Sequence, residues 1–399
     1  MHFVLNRKKE ELFKSMKRYL LILTVFLTGC TVFSTLQKSR YIAVSNLIET
    51  SRYIEAKQMV EDMVADEQFS RWPRTWYLRG VLCQKAYREG RAANDRNRYE
   101  LYPDQLYVAF ESFEKAISLD SRGRKENQLK PRYVLLANDF QQMGERHFRA
   151  SKYKEALRAF EHALEITRRP VLAMKADTNL VYNAALAAFE SENWKKANHY
   201  LGKLHNAAHS TNVTHLLFLS TLATGDSYKA KTVLREGIDK YEDNKQLVLL
   251  LVDMHLQEHD FSNALDVLER AISGEPSNPA YHYTSGLVYQ RMGKFNDAIL
   301  AYFEAIEHDP DEIMAYVNIA TCYYNMGVEI AEQTRTLSSS NAVAEKRKES
   351  EAAITSAVSW LDKAYEKEPD DQAVLIKIYE LYRMLRITDR VRSIENQIY

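Results

Sequence analysis

Three alanines constrain this chain more than any other feature. Ala230, Ala264 and Ala298 stand 34 residues apart, each inside a similar local pattern. Ala298 lies in Phe295-Asn-Asp-Ala298-Ile-Leu-Ala-Tyr302-Phe-Glu-Ala305, with Pro310 beyond; Ala264 lies in Phe261-Ser-Asn-Ala264-Leu-Asp-Val-Leu268-Glu-Arg-Ala271, with Pro276 beyond. Tyr228-Lys-Ala230 starts the same pattern once more. A fixed period of this length marks a repeat array, in which one unit cannot bury its apolar face alone and must stack on its neighbours. Carried along the chain, the alanine recurs at Ala56, Ala109, Ala156, Ala197, Ala230, Ala264, Ala298 and Ala357, which predicts eight units with insertions wherever the interval exceeds 34. Composition says what the units are. The 399 residues include only 12 Gly and 8 Pro, where average usage would give roughly 28 and 20. Sandwiches and barrels need those residues at their many turns, so the units are helices joined by short connections.

In the unit that begins at Pro279, Gly286, Tyr289, Ala298, Tyr302, Ala305 and Pro310 fall at positions 8, 11, 20, 24, 27 and 32. This spacing resembles the tetratricopeptide repeat family, with one departure: His282 holds position 4, where Trp or Tyr is usual. The resemblance implies two antiparallel helices per unit, A and B. Small residues at 8 and 20 let them cross closely, aromatics at 11 and 24 fill the space beside the crossing, Ala at 27 admits the next unit, and Pro at 32 ends helix B. It implies an all-α fold, a right-handed superhelical α-solenoid of about eight TPR helix pairs with helical insertions and a C-terminal capping helix. The array occupies 40–371, with insertions near 88–105 and 327–352, and a single capping helix follows over 372–399. Glu329 to Glu351 carries no Gly or Pro and is rich in helix formers, so it reads as extensions of helices A and B that project beyond the stack. Asn94 to Arg98 reads as a loop or hairpin tip, and Ser121 to Lys130 as a polar connector.

The first thirty residues read as an address. Six basic side chains between Arg7 and Arg18 precede the apolar run Tyr19 to Leu27, and Thr28-Gly29-Cys30 follows. A basic flank, a short apolar stretch and small residues at a cleavage point make a secretory signal peptide over 1–29, with Met16 as an alternative start. Nine residues fall short of the roughly 20 that span a bilayer. Leu27-Thr28-Gly29-Cys30 resembles the bacterial lipobox, which implies lipidation of Cys30, a short linker over 30–39, and a protein tethered to a membrane rather than embedded in it. The absence of an acidic residue directly after Cys30 points, by analogy, to the outer membrane facing the periplasm.

Several residue groups invite a chemical reading. His255-Leu-Gln-Glu258-His259 matches H-x-x-E-H, in which two histidines on one helical face bind zinc and the glutamate acts as base. The repeat register places His255 at position 11, an aromatic filler, and His259 at position 15, in the turn, so this reading is not preferred. His199, His205, His209 and His215 form a second group, and His205 and His209 could share a face; they read as surface and loop histidines. No Gly-rich phosphate loop and no G-x-S-x-G elbow occurs. Cys83 and Cys322 read as buried free thiols. The chain is therefore expected to be no enzyme and to need no metal or cofactor.

Lys+Arg 54 balances Asp+Glu 54, so no global basic field favours nucleic acid. The expected partners are proteins or peptides, with the membrane engaged only through the lipid. In the tetratricopeptide family the concave groove is lined by helix A positions 2, 5, 9, 12 and 13. Carried over, these give Asn179, Tyr182, Leu186 and Phe189 in the fourth unit, Tyr283, Leu287, Gln290 and Arg291 in the seventh, and Val317, Thr321, Tyr324 and Asn325 in the eighth. The layout resembles tetratricopeptide lipoproteins of Bacteroidetes, which implies a non-enzymatic interaction scaffold of the bacterial cell envelope. An accessory role in secretion or outer-membrane assembly is the alternative, and a metal-dependent enzyme a remote third.

Overall fold

The computed structural model describes residues 35–121, 123, 125–172, 177–241, 244–370 and 372–398. The proposed signal peptide, Cys30 and the first residues of the linker lie outside the described residues. Two compact units divide the chain between Tyr200 and Leu201. Both are helical, and no strand occurs among the described residues.

The first unit holds α1 (35–49), α2 (Tyr53–Ala65), α3 (Glu67–Ser70), α4 (Pro73–Ala92), α5 (Arg96–Tyr99), α6 (Gln105–Ser118), α7 (Lys125–Arg149), α8 (Tyr153–Thr167) and α9 (Thr178–Glu190). Helix α10 (Trp194–Asn206) carries the boundary. The second unit continues with α11 (Thr211–Ala223), α12 (Ser227–Lys240), α13 (Lys245–Gln257), α14 (Phe261–Gly274), α15 (Pro279–Arg291), α16 (Phe295–His308), α17 (Ile313–Gln333), α18 (Ser340–Lys367), α19 (Gln372–Met384) and α20 (Thr388–Ile398).

Sequence explains where these helices start and which face they bury. Asp177, Ser210, Asp226, Asn244, Asp260 and Asn278 each accept a hydrogen bond from a backbone N–H in the first turn of the helix that follows. Those donors have no partner inside the helix, so the short polar side chain both starts the helix and fixes its entry. In α8 the buried residues Ala156, Leu157, Ala159, Phe160, Ala163 and Leu164 follow one another at intervals of one to three, a stripe on one side of the cylinder.

Helices pair as the repeat requires. All eight alanines of the period, Ala56 to Ala357, are 0% exposed. Opposite them the glycine at position 8 lies directly on the aromatic at position 24: a Cβ on Gly80 would sit 2.3 Å from the Phe113 ring, on Gly144 2.5 Å from Phe160, and on Gly286 2.5 Å from Tyr302. Gly237, at position 27, faces Thr214 and, across to the next unit, Leu247. The turn between helices A and B has its own signature. Ser51, Asp104, Ser151, Glu192, Gly225, His259 and Gly293 all adopt positive φ, and each stands five residues before its alanine. The left-handed residue ends helix A and lets the chain reverse; Gly225 and Gly293 take it without the steric cost that the other five accept.

Several expectations need correction. Residues 372–398 form two helices, α19 and α20, with Arg386 in the left-handed conformation between them. This is a ninth helix pair in register, with Val391 at the alanine position, where the sequence predicted one capping helix. The polar connector at Ser121 to Lys130 is already helical from Lys125, and α7 continues through Pro131. Of Asn94 to Arg98, Asn94 and Asp95 form the tip between α4 and α5, but from Arg96 the segment is helical, Asp95 accepting from the Asn97 N–H to start the one-turn α5. Val317 is treated with the site below.

The projecting insertion forms as predicted. Helix α17 runs to Gln333 and α18 starts at Ser340, joined by a 3-10 turn over Thr334–Thr336. At its base the Ser350 hydroxyl donates to the Gly327 carbonyl at 2.7 Å, and a Cβ on Gly327 would meet Ile354 at 2.9 Å.

Candidate functional site

The helix-A face is where the predicted contacts lie, and the structure sorts them. In α9, Asn179 is exposed while Tyr182, Leu186 and Phe189 are half-buried. Phe189 packs edge-on against Trp194, ring centres 5.5 Å apart. Leu186 and Asn183 border a cleft of about 110 Å³ closed by Phe160 and by Glu145, Phe148 and Arg149 of α7. Phe148 and Leu186 give it an apolar wall, and Arg149 and Glu145 pair at 3.7 Å on its edge.

In the second unit, α15 and α17 lie side by side. Tyr283 accepts a hydrogen bond from Asn318 at 3.1 Å and packs on Tyr302 with ring centres 5.6 Å apart. Burial raises its hydroxyl pKa above the usual value. Gln290 accepts from the Tyr302 hydroxyl at 2.7 Å, and Leu287 packs on the core around Ala298 and Tyr302. These three therefore hold the helix pair together as well as facing the surface. Arg291 is exposed; Thr321, Tyr324 and Asn325 are half-buried, and the Thr321 hydroxyl donates back to the Val317 carbonyl. Val317 is not a surface residue. It is 2% exposed, buried with Ala320, Leu361 and Ile378 in the core shared with α19. The ninth helix pair covers it, and the sequence reading had no such pair.

The same register reveals what the sequence reading omitted. In the fifth unit positions 9 and 12 are Leu219 and Leu222, both exposed, at 37% and 39%. Two leucines on one turn of helix, open to solvent, are the clearest apolar feature of this face. The signal was present in the sequence, since the positions follow from Ala230 by the same count.

The histidine groups have structural employment. His255 is 1% exposed; its Nδ1 lies 3.0 Å from Asp260 and its Nε2 3.3 Å from Arg235. Glu258 pairs with Lys231 at 2.5 Å, and His259 is the left-handed turn residue. The three members of H-x-x-E-H thus point to separate partners. His205 corrects the surface reading: it is 1% exposed, with Nδ1 2.9 Å from the Thr214 hydroxyl and Nε2 3.1 Å from Glu236 and 3.0 Å from Lys240. Helix α10 ends at Asn206, so His209 stands off the helix and shares no face with it. Burial and the neighbouring Lys240 lower the His205 pKa, against the pull of Glu236. Cys83 and Cys322 are buried free thiols; burial raises both, Cys322 to about 12. No group of three or more potential metal ligands occurs among the described residues.

A buried carboxylate that sequence reading missed lies in the first unit. Asp139 of α7 is 6% exposed; Arg88 reaches one oxygen at 3.4 Å, and the other oxygen has no hydrogen-bond partner. The neighbouring Gln84 amide donates to the Arg132 carbonyl at 2.9 Å, and its own oxygen is unpartnered. Burial raises the Asp139 pKa to about 6, against the lowering effect of Arg88, Arg146 and Gln84.

No family model matches the sequence, and no curated protein matches it. Solved structures do match, among them the following at low identity. MamA from Desulfovibrio magneticus RS-1, residue 41 to its end, covers 49% of this chain and 97% of its own at 17% identity, with a TM-score of 0.35. A monomeric IFIT1 mutant with Gppp-AAAA covers 87% of this chain and 73% of its own at 15% identity, with a TM-score of 0.38. Both are of the tetratricopeptide type. Likeness at these scores supplies no argument; the fold rests on the alanine, glycine and turn geometry above.

Proposed function

We propose that this chain is a non-enzymatic scaffold that holds protein or peptide partners on its helix-A faces, tethered by lipid on Cys30 to a bacterial envelope membrane. The observation that carries the binding role is the exposed pair Leu219 and Leu222. Leucines left in water at the positions the fold turns outward are an incomplete apolar contact, which a partner's side chains complete. The outer membrane facing the periplasm is the compartment this reading favours, because no acidic residue directly follows Cys30.

Partner capture tests the face. Leu219→Glu with Leu222→Glu should weaken capture of partners from detergent-extracted membranes by roughly 2 kcal/mol or more, about thirtyfold. Asp266→Ala, on an exposed helix-B surface, should leave capture unchanged. Full retention by the double variant, with the helical signal intact, sinks the assignment. The anchor is tested apart from it: native protein should carry acyl mass on an N-terminal cysteine, and Cys30→Ser should yield unlipidated protein. A native mass that retains residues 1–29 with no acyl group would refute lipidation.

A further inference from the structure

Helix α17 is 21 residues long where α15, its counterpart in the preceding pair, is 13. Its extra turns overhang the connection between α15 and α16. The overhang borders a shallow, open cleft of about 370 Å³ lined by Gly293–Asp297 on one side and by Met326, Glu329, Ile330 and Gln333 on the other. Phe295, Met326 and Ile330 are half-buried and form an apolar floor, while Lys294, Asp297 and Glu329 stand exposed at the rim. None of Lys294, Asp297 and Glu329 forms an ion pair with another described residue. Of the eight acids on and between α16 and α17, Asp297, Glu329 and Glu332 stand at this end of the two helices, with Lys294 as the base on the lining; Glu304, Glu307, Asp309, Asp311 and Glu312 lie toward the other end. Of those eight, Asp311 alone pairs with a base, Lys367, at 3.4 Å.

We propose that this cleft docks a basic amphipathic segment of a partner protein, distinct from anything held on the helix-A faces. The segment places a large aliphatic side chain on Phe295, Met326 and Ile330 and sets Lys or Arg against Asp297 and Glu329. Charge complementarity chooses this occupant. An acidic segment would meet Asp297 and Glu329, which outnumber Lys294 at the rim, and a wholly apolar one would leave those two carboxylates desolvated without partners. An apolar anchor in a pocket with a charged rim is also the arrangement that concentrates binding energy. The site exists because helix A runs on into the insertion; a pair that turned at the usual position would have no second wall.

The test uses the chain from residue 30 onward and a fluorescein-labelled amphipathic Lys/Leu peptide, with its Glu-for-Lys counterpart as control, read by fluorescence anisotropy. The basic peptide should bind, more weakly at about 0.5 M than at about 0.05 M salt as the charges are screened. Asp297→Lys with Glu329→Lys should weaken it at least about tenfold, and so should Ile330→Ser. Leu219→Glu with Leu222→Glu should not change it, which keeps this result separate from the fate of the helix-A face. p-Benzoylphenylalanine in place of Gln333 should cross-link the peptide. Equal binding of the acidic counterpart, an affinity unmoved by the charge reversal, or cross-linking from Leu219 but not from Gln333 would overturn the proposal.

Discussion

Gly286→Val is expected to cost the seventh helix pair about 1–3 kcal/mol or more. The first carbon of any side chain there would lie 2.5 Å from the Tyr302 ring, and the ring has nowhere to go. Tyr302 is 0% exposed, its hydroxyl is held by Gln290, and Tyr283 packs on its face. The helices must part, and the array answers locally because each pair touches only its neighbours. Hydrogen exchange should accelerate over 279–308 and much less over 35–170. The diagnostic companion is Tyr302→Leu. It destabilises alone, but it removes the ring that the valine strikes, so the two changes together should cost less than their sum by about 1 kcal/mol or more. Additive losses would show that the glycine is there for some reason other than the aromatic at position 24.

The second large effect is a gain. Asp139→Asn should stabilise the pair α7 and α8 at pH 7.5, on the order of 1–2 kcal/mol, and remove most of its pH dependence. The sign follows from the raised pKa. Asp139 titrates near 6 in the folded chain and near 3.8 when exposed, so the folded state binds the proton more tightly. Its contribution is fully present below pH 3.8 and is lost as pH rises through 6. The amide keeps an acceptor for Arg88 and has no charge to bury, and its N–H can serve the orphaned Gln84 oxygen. Exchange protection of 125–149 should fall between about pH 4 and pH 6.5 in the parent chain and stay level in the variant. An unchanged slope in Asp139→Asn would assign the pH dependence elsewhere. His205 acts in the other direction in the second unit: its lowered pKa leaves its contribution intact above about 6.5 and erodes it as the solution becomes more acidic.

The helix pairs were legible because small residues at a close crossing cannot be exchanged, and Ala56 through Ala357 all sit where the count puts them. Other parts were hidden for definite physical reasons. The left-handed turn residue is Gly at 225 and 293 but Ser, Asp, Glu or His elsewhere, since one strained φ is affordable in a well-packed turn. The ninth pair escaped notice because Val391 replaces the alanine; it is half-buried where the eight alanines are fully buried, so the larger side chain is tolerated there. That omission then misplaced Val317, which looks outward only if nothing follows it. On the helix-A face, position alone could not separate Tyr283, already engaged by Asn318 and Tyr302, from residues free to meet a partner. His205 and Asp139 are buried polar groups on helices of mixed composition, and only packing reveals which face turned inward.

The pinned base of the α17–α18 hairpin has a consequence for how such a chain changes over time. Ser350 on the Gly327 carbonyl, with Ile354 against Gly327, fixes where the two arms leave the stack. Beyond that clasp, apart from the cleft that α17 shares with Gly293–Asp297, the arms answer chiefly to each other. Turns of helix can be added to or removed from both arms together without moving Ala320, Ala357 or any residue that sets the spacing of the array. The hairpin is thus a place where length is free to drift while the body of the protein stays fixed, and an overhang of a new reach can be tried without refolding what it hangs from.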